Sequence, residues 1–324
     1  MNISAEDFAR IIYPSRDLDA DALRVVRNAL GGKDVIETLA DMRAAAMALD
    51  RGHFPTPVII RFSEEDVGYE PINGVVCAVD RHDFAVSVHS KDGFYEPHLV
   101  ATIRRICKPG SVVIDVGANI GCHTLLFASV IGNTGRCYAF EPNSENSRLI
   151  LLGCQRNQFK NVTLMPVGLS DRPGWGYFST HIGSNGGIVS ETSVARGNGG
   201  IIPLFILDDF KFEKVDCIKI DIEGGEFLAL KGGEKLLRDS RPAIISEFSL
   251  EMADRVSHVG PEEFFGWFIG MGYEAYQLDR SSSEVIRVES ISGFFSNWGS
   301  HVRIEDFLFL PRERSAQFGF QQSS

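Results

Sequence analysis

The chain has 324 residues, of which 44% are hydrophobic and 23% charged, with a formal net charge of −11. That composition excludes a disordered or fibrous protein and describes a folded globular one, large enough for an α/β domain with an extension. The excess of acids, without any Lys/Arg-rich run, argues against a nucleic-acid partner, and no apolar run reaches the length of a membrane span.

The first 55 residues read as helical. Leu18, Ala22, Val25, Val26 and Leu30 recur at helical spacing until Gly31-Gly32, and an alanine-rich helix is expected from about Val35 to Leu49. These helices suit a cap or an oligomer contact, so a homodimer is carried as an open expectation. Short β runs follow at 58–60, 75–79 and 84–88, the last two separated by a hairpin turn at Asp80-Arg81-His82-Asp83. The acidic start lacks the basic end of a signal peptide. Six cysteines, at 77, 107, 122, 137, 154 and 217, form no C-x-x-C pair and lie partly inside apolar runs. Reduced, buried thiols in a cytoplasmic setting are expected, with no zinc site.

A helix at about 97–107 ends at Lys108-Pro109-Gly110, and strands and helices then alternate. Strands are predicted at 112–116, 136–140, 162–167, 215–221, 242–247, 273–278 and 303–310, with helices at 121–131, 144–157, 225–238 and 261–271. The fold class is therefore α/β, a doubly wound, mostly parallel seven-stranded sheet. Its last strand joins antiparallel, because no helix precedes it. The expected organisation is an extension over 1–92, a nucleoside-binding domain over 93–312 and a tail over 313–324. Residues 171–203, rich in glycine, interrupt the alternation and fit a hairpin or mobile lid on the ligand edge, or a plain surface meander. Trp175, Tyr177 and Phe178 there suit either stacking on a sugar or the core of a hairpin.

The chemistry concentrates at strand ends. Val112-Val113-Ile114-Asp115-Val116 breaks into Gly117-Ala118-Asn119-Ile120-Gly121, and Cys137-Tyr138-Ala139-Phe140 ends on Glu141. A buried strand, a glycine turn, a helix and an acid ending the next strand describe a nucleoside-binding βαβ unit. Asn119 stands where a dinucleotide's pyrophosphate would approach, which favours a cofactor without phosphates, S-adenosylmethionine being the common one. Asp115 can accept from a cofactor ammonium or from the N–H groups of the turn, and Glu141 from both ribose hydroxyls. Asn143 and Ser144 after Pro142 suit a helix cap. Gly168-Leu169-Ser170-Asp171 falls where an adenine edge would lie, although an Asx turn explains it equally. In Lys219-Ile220-Asp221-Ile222-Glu223-Gly224-Gly225-Glu226, strand alternation puts Lys219, Asp221 and Glu223 on one face; Glu223 or Glu226 could instead cap the next helix. Glu247 ends the following strand. His123, His181 and His301 read as packed or solvated side chains, and no nucleophile–base order is present.

Taken together, these motifs resemble the FkbM-type S-adenosylmethionine-dependent methyltransferases. The resemblance runs from about Gly93 to Leu310 and rests on Tyr95-Glu96-Pro97, Asp115 to Gly121, Phe140 to Asn143, Gly168 to Asp171, Leu207-Asp208-Asp209-Phe210 and Lys219 to Glu226. It implies a class I (Rossmann-like) methyltransferase fold and O-methylation of a hydroxyl on a sugar, glycan or secondary metabolite. It also adds Glu96 to the site. The expected cofactor-binding set is then Glu96, Asp115, Gly117, Asn119, Gly121, Glu141, Pro142, Ser170, Asp171 and Asp221. Asp221, Glu223 and Glu247 are the expected catalytic carboxylates, acting directly or through a divalent cation. Two alternatives stay open: a non-catalytic module that senses S-adenosylmethionine, and a nicotinamide-dependent oxidoreductase, which Asn119 disfavours.

Overall fold

The computed structural model describes residues 66–82, 93–182, 185–189, 199–296, 298, 303–315 and 318. The helices expected before residue 50, the strands at 58–60 and 84–88 and His301 lie outside these residues, as does the side chain of His181. The dimer expectation rests on those helices and lies outside with them.

A sheet of eight strands carries the site. β3 (Val112–Val116), β4 (Arg136–Phe140), β5 (Val162–Met165), β10 (Cys217–Ile220) and β11 (Ala243–Ser249) run parallel; β12 (Tyr273–Leu278) and β14 (Ile304–Pro311) follow. β14 inserts between β11 and β12 and is antiparallel to both, the expected direction, although a short helix, Ile291–Ser296, precedes it. With β13 (Val285–Arg287) at the edge, the order is β13-β12-β14-β11-β10-β3-β4-β5, so the chain reverses its direction of winding between β3 and β10. Ligands of doubly wound sheets bind outside the carboxyl ends of the strands at such a switch.

The expected count of seven strands is corrected by β13 (Val285–Arg287), an edge strand antiparallel to β12. At three residues it is too short to show a period. Among the described residues three helices also escaped the pattern, Leu250–Ser257, Ile291–Ser296 and the single turn Arg312–Ser315. The helix expected over 225–238 is two, Glu226–Lys231 and Glu234–Ser240, because the chain must pass Ser170 closely. A Cβ on Gly232 would lie 2.1 Å from the Ser170 carbonyl oxygen.

The described residues of 171–203 form the expected hairpin, not a plain meander. β7 (Gly174–Ile182), β8 (Asn185–Val189) and β9 (Gly199–Phe205) join β6 (Gly168–Leu169) in a second, four-stranded sheet.

The strand at 75–80 pairs with the preceding run, while the run at 84–88 expected beside it lies outside the described residues. β1 (Val67–Ile72) and β2 (Val75–Asp80) form a hairpin through Asn73-Gly74. This hairpin explains the helix Cys122–Ile131 (α2), which is apolar nearly all round. One face of α2 meets the sheet. The other is covered by the hairpin and by the helix Ser144–Arg156 (α3), through Ile72, Val75, Cys77, Leu125 and Ile150. Asn157, just after α3, docks the hairpin by accepting from the Val76 N–H at 3.0 Å and donating to the Val76 carbonyl at 2.6 Å.

The hairpin turn in turn holds the approach to the site. Asn73 donates to the Tyr95 carbonyl at 2.9 Å and accepts from the Tyr95 N–H at 3.0 Å. Asn157→Ala should leave both Val76 backbone groups without these partners, costing about 1–3 kcal/mol. Amide exchange should speed up over residues 67–80 while the β3 and β10 amides keep their protection.

Candidate active site

A cavity of about 370 Å³ opens at the carboxyl ends of β3, β4, β10 and β11, roofed in part by the second sheet. That volume is within the usual range for a small-molecule site, about 300–1,000 Å³. Glu96, Gly117, Asn119, Glu141, Pro142, Asp221, Glu223 and Glu247, all expected from sequence, line it.

The nucleoside end is built around Glu141. Its Oε2 accepts from the Asn119 N–H at 2.7 Å and its Oε1 from the Asn143 N–H at 2.8 Å. Asn119 takes a left-handed conformation, φ 51°, and its Oδ1 accepts from the Ile120 N–H at 2.7 Å. Asn143 caps α3 as expected, accepting from the Glu145 N–H. Burial pushes the Glu141 carboxyl up to about 7, against the pull of these two N–H donors. Phe140, Val167, Gly168 and Leu169 supply apolar wall beside it.

Gly117 is required by the neighbouring strand. At φ 75°, a Cβ there would stand 1.8 Å from the Asp221 carbonyl oxygen. Gly121 starts α2 at φ 93°, with Ile150 2.9 Å from where its Cβ would be. It packs two helices together and does not line the cavity.

Three expected cofactor contacts are placed elsewhere. Asp115 has no exposed surface and lies beneath the turn. Its Oδ2 accepts from the Thr124 hydroxyl at 2.6 Å, and the Lys219 ammonium is 3.9 Å from its Oδ1. Strand alternation points it into the packed layer. Ser170 is buried and its hydroxyl donates to Asp171, which faces solvent beside Arg172. The chain enters the second sheet at Gly168, and that turn carries both residues past the cavity, which Gly168 and Leu169 line instead.

The other end of the cavity is a network of charges. Lys219 reaches Asp221 at 3.2 Å and the Gly117 carbonyl at 3.4 Å. Burial opposes its charge, but Asp221, Asp115 and Glu96 outweigh that and hold its pKa above the ordinary lysine value. Glu226 braces the turn before the helix, its Oε1 accepting from the Ile222 N–H at 2.7 Å, while Glu223 lines the cavity. Burial and then Asp221 raise the Glu223 pKa. Glu247 and Asp306 are cross-strand neighbours on β11 and β14, and Arg280 bridges them at 3.3 and 2.9 Å. Burial, Asp221 and Asp306 hold the Glu247 carboxyl well above the carboxylate range. Behind them, His98 meets Asp306 at 2.7 Å.

Arg280, Asp306 and His123 were missed from sequence. Arg280 sits in a serine-rich turn organised by Asp279, where a charge reads as solvated. Asp306 carried a signal, an acid inside an apolar strand. His123 lines the cavity, and burial lowers its pKa well below the usual value, leaving it neutral. Among the described residues, no group of three or more His, Cys, Asp or Glu side chains is arranged to hold a metal ion, so the expected divalent cation finds no ligand set. No described helix is long and apolar enough to cross a membrane.

Residues 115–277 match the family model of the methyltransferase FkbM domain. No curated protein matches the chain. Among solved structures, the chain is similar to methyltransferase FkbM from Methylobacillus flagellatus KT, with 14% identity and a TM-score of 0.41 over 90% of this chain and 60% of that one. It thus spans less than two thirds of that protein. It is also similar to a SAM-dependent O-methyltransferase from Thermotoga maritima, at 12% identity and TM-score 0.37 over 67% of this chain and 65% of that one. A SAM-dependent methyltransferase from Aquifex aeolicus gives 14% identity and TM-score 0.37 over 67% and 90% of the two chains.

Lys219→Met should cost about 3–5 kcal/mol in denaturant unfolding, because it leaves Asp115 buried without its cation. Asp115 is already raised by burial, with Lys219 lowering it. Losing the lysine raises it further, so the folded state must then hold a proton that the unfolded chain releases. The deficit against wild type should therefore widen as pH rises from about 5 to about 8.

Proposed function

Because the chain belongs to the FkbM methyltransferase family, we propose that it is an S-adenosylmethionine-dependent O-methyltransferase. Its acceptor is a hydroxyl on a sugar, glycan or secondary metabolite. The observation that carries this reading is Glu141, whose two oxygens are each oriented by one backbone N–H while the carboxyl group still faces the cavity.

The donor set fits that cofactor. The Asn119 and Asn143 N–H groups and the Asn146 side chain take three of the roughly four acceptor positions of the Glu141 carboxylate, which leaves one for a ribose hydroxyl, and the left-handed turn at Asn119 keeps the carboxylate in register with the β3 tip. Pro142, Phe140 and Leu169 form apolar surface beside it for an adenine ring. Glu96 and Asp221 place negative charge where a sulfonium and an ammonium would be held. Asp115 supports the site from beneath, through Lys219, and Ser170 and Asp171 shape the turn that presents Gly168 and Leu169. The chemistry the cofactor supplies is a methyl group activated by positively charged sulfur.

The residues of the chain then hold the acceptor oxygen in line and take up its proton. Orientation is the larger contribution, about 7–11 kcal/mol, against roughly 3–5 kcal/mol for a positioned base. Lys219 and Arg280 hold the Asp221 and Glu247 carboxyl groups in place in a partly buried wall. Phe178, Gly186, Gly187 and Ile202 of the second sheet close the cavity over that wall and keep out water. All six cysteines are free and buried, which supports the reducing, cytoplasmic setting.

Calorimetry with S-adenosylmethionine should give a saturable isotherm that Glu141→Ala weakens by about a hundredfold or more, with circular dichroism unchanged. Since Glu141 accepts a ribose hydroxyl best when ionised and burial pushes its carboxyl up to about 7, affinity should fall by up to about tenfold from pH 8 to pH 6. Glu141→Gln should flatten that dependence. Methyl label transferred to a hydroxylated sugar should survive alkali as an ether. Wild-type protein that does not bind S-adenosylmethionine, or label recovered on nitrogen or carbon, would overturn the reading.

A further inference from the structure

The cavity's carboxylates are not equivalent as proton acceptors. Asp221 and Glu247 are each committed to a cation, and Glu141 to two N–H groups. Glu223 turns its stem under the second sheet, its Cβ 3.0 Å from where a Cβ on Gly187 would stand. Glu96 is differently built. It occupies the N-cap position of the helix Pro97–Ile106 in a left-handed conformation, φ 48°, yet its side chain makes no cap hydrogen bond. A non-glycine residue in that region is held there by its surroundings, here by the Asn73–Tyr95 hydrogen bonds on the preceding residue. The strain turns the carboxyl group away from the helix and into the cavity.

Its two oxygens differ as well. Oε2 is buried without a hydrogen-bond partner, and 3.5 Å away stands His123 Nε2, equally buried and unpartnered. The neutral imidazole occupies that side of the carboxyl group, leaving Oε1 as the oxygen available to the cavity. We propose that Glu96 is the residue that receives the acceptor hydroxyl's proton. As the hydroxyl oxygen bonds the methyl carbon, its proton passes to Glu96 Oε1, and the electron pair of the broken carbon–sulfur bond stays on sulfur. One positive charge on sulfur and one negative charge on the carboxylate vanish together, so no new charge is left in the buried site.

The charges around Glu96 suit this role. Burial is the largest influence and pushes it up, joined by Asp306 on β14 and Asp221 beyond β10; Lys219 on β10 and Arg280 beyond β12 pull it down. The balance is about 8, in the range where a carboxylate both accepts and releases protons near neutrality. A positive charge brought beside it would lower that value and ionise it when it is needed.

This inference rests on the methyltransferase reading, and its test separates the two. The full-length chain, labelled with [5-¹³C]glutamate, would be titrated by NMR, with Glu96→Gln identifying the resonance. The titration would be run with S-adenosylmethionine and again with S-adenosylhomocysteine, which lacks the sulfonium charge. The Glu96 midpoint should lie roughly one unit or more lower with the charged ligand. At pH 6.5, where free Glu96 is mostly protonated and its charge adds little to binding, Glu96→Gln should bind S-adenosylmethionine within about twofold of wild type, and label transfer to methyl glycosides should fall by about 10²–10⁴-fold, partly restored in Glu96→Asp. Equal midpoints with the two ligands, or a tenfold loss of S-adenosylmethionine affinity in Glu96→Gln at pH 6.5, would overturn the assignment and leave Glu96 a structural or cofactor contact. Absence of S-adenosylmethionine binding by wild type would overturn the family-based reading instead. The titration and affinity readouts decide the matter even on glycosides that wild type leaves unmethylated.

Discussion

A buried ammonium at the crossover of the sheet organises everything around the cavity. Lys219 lies between the tips of β3 and β10 and reaches Asp115, Asp221 and the Gly117 carbonyl. A charge taken out of water this far is tolerated only where opposite charges meet it, and it makes the fully buried Asp115 tolerable in return. The same junction forbids a side chain at residue 117, because the Asp221 carbonyl occupies the space. The floor of the cavity is thus set by packing between strands before any ligand is considered.

From that floor the site divides into two kinds of surface. The nucleoside end is made of backbone donors converging on Glu141, with apolar wall beside it. The far end carries more carboxylates than cations, and Lys219 and Arg280 fix which of them are committed to ion pairs. Such a division suits a cofactor with an uncharged nucleoside and a positively charged reacting group. It also concentrates titrating groups where proton transfer would be required, the usual place for raised carboxylate pKa values.

The hairpin before the sheet has a part in this that its sequence position conceals. It covers the outer face of α2 and, through Asn73, holds the backbone at Tyr95, one residue before Glu96. The second sheet acts similarly from above, where the backbone at Gly187 packs on the stem of Glu223. The second sheet is thus a wall of the site and the hairpin a support behind it, because a cavity at a sheet edge needs covering that the sheet itself does not supply.

The amino-acid sequence by itself determined the alternation of strands and helices, the antiparallel return of β14, the glycine turn and Glu141 with its helix cap. Each is a local matter, set by hydrophobic period, left-handed backbone or a residue two positions away. The strand tips follow from it, since in a doubly wound sheet they point to the ligand edge, and Asp221, Glu223 and Glu247 were legible on that ground. Tertiary structure alone decided which acids face the cavity and which lie beneath it. Asp115 was read as a ligand contact, but Lys219, 104 positions later in the chain, draws it into the core. Arg280, Asp306 and His123 entered the site only when β12, β14 and α2 were brought beside β10 and β11. The physical reason is that a carboxylate's role depends on its burial and on the charges within a few ångströms of it. Those neighbours come from separate elements, so no periodicity along the chain records them.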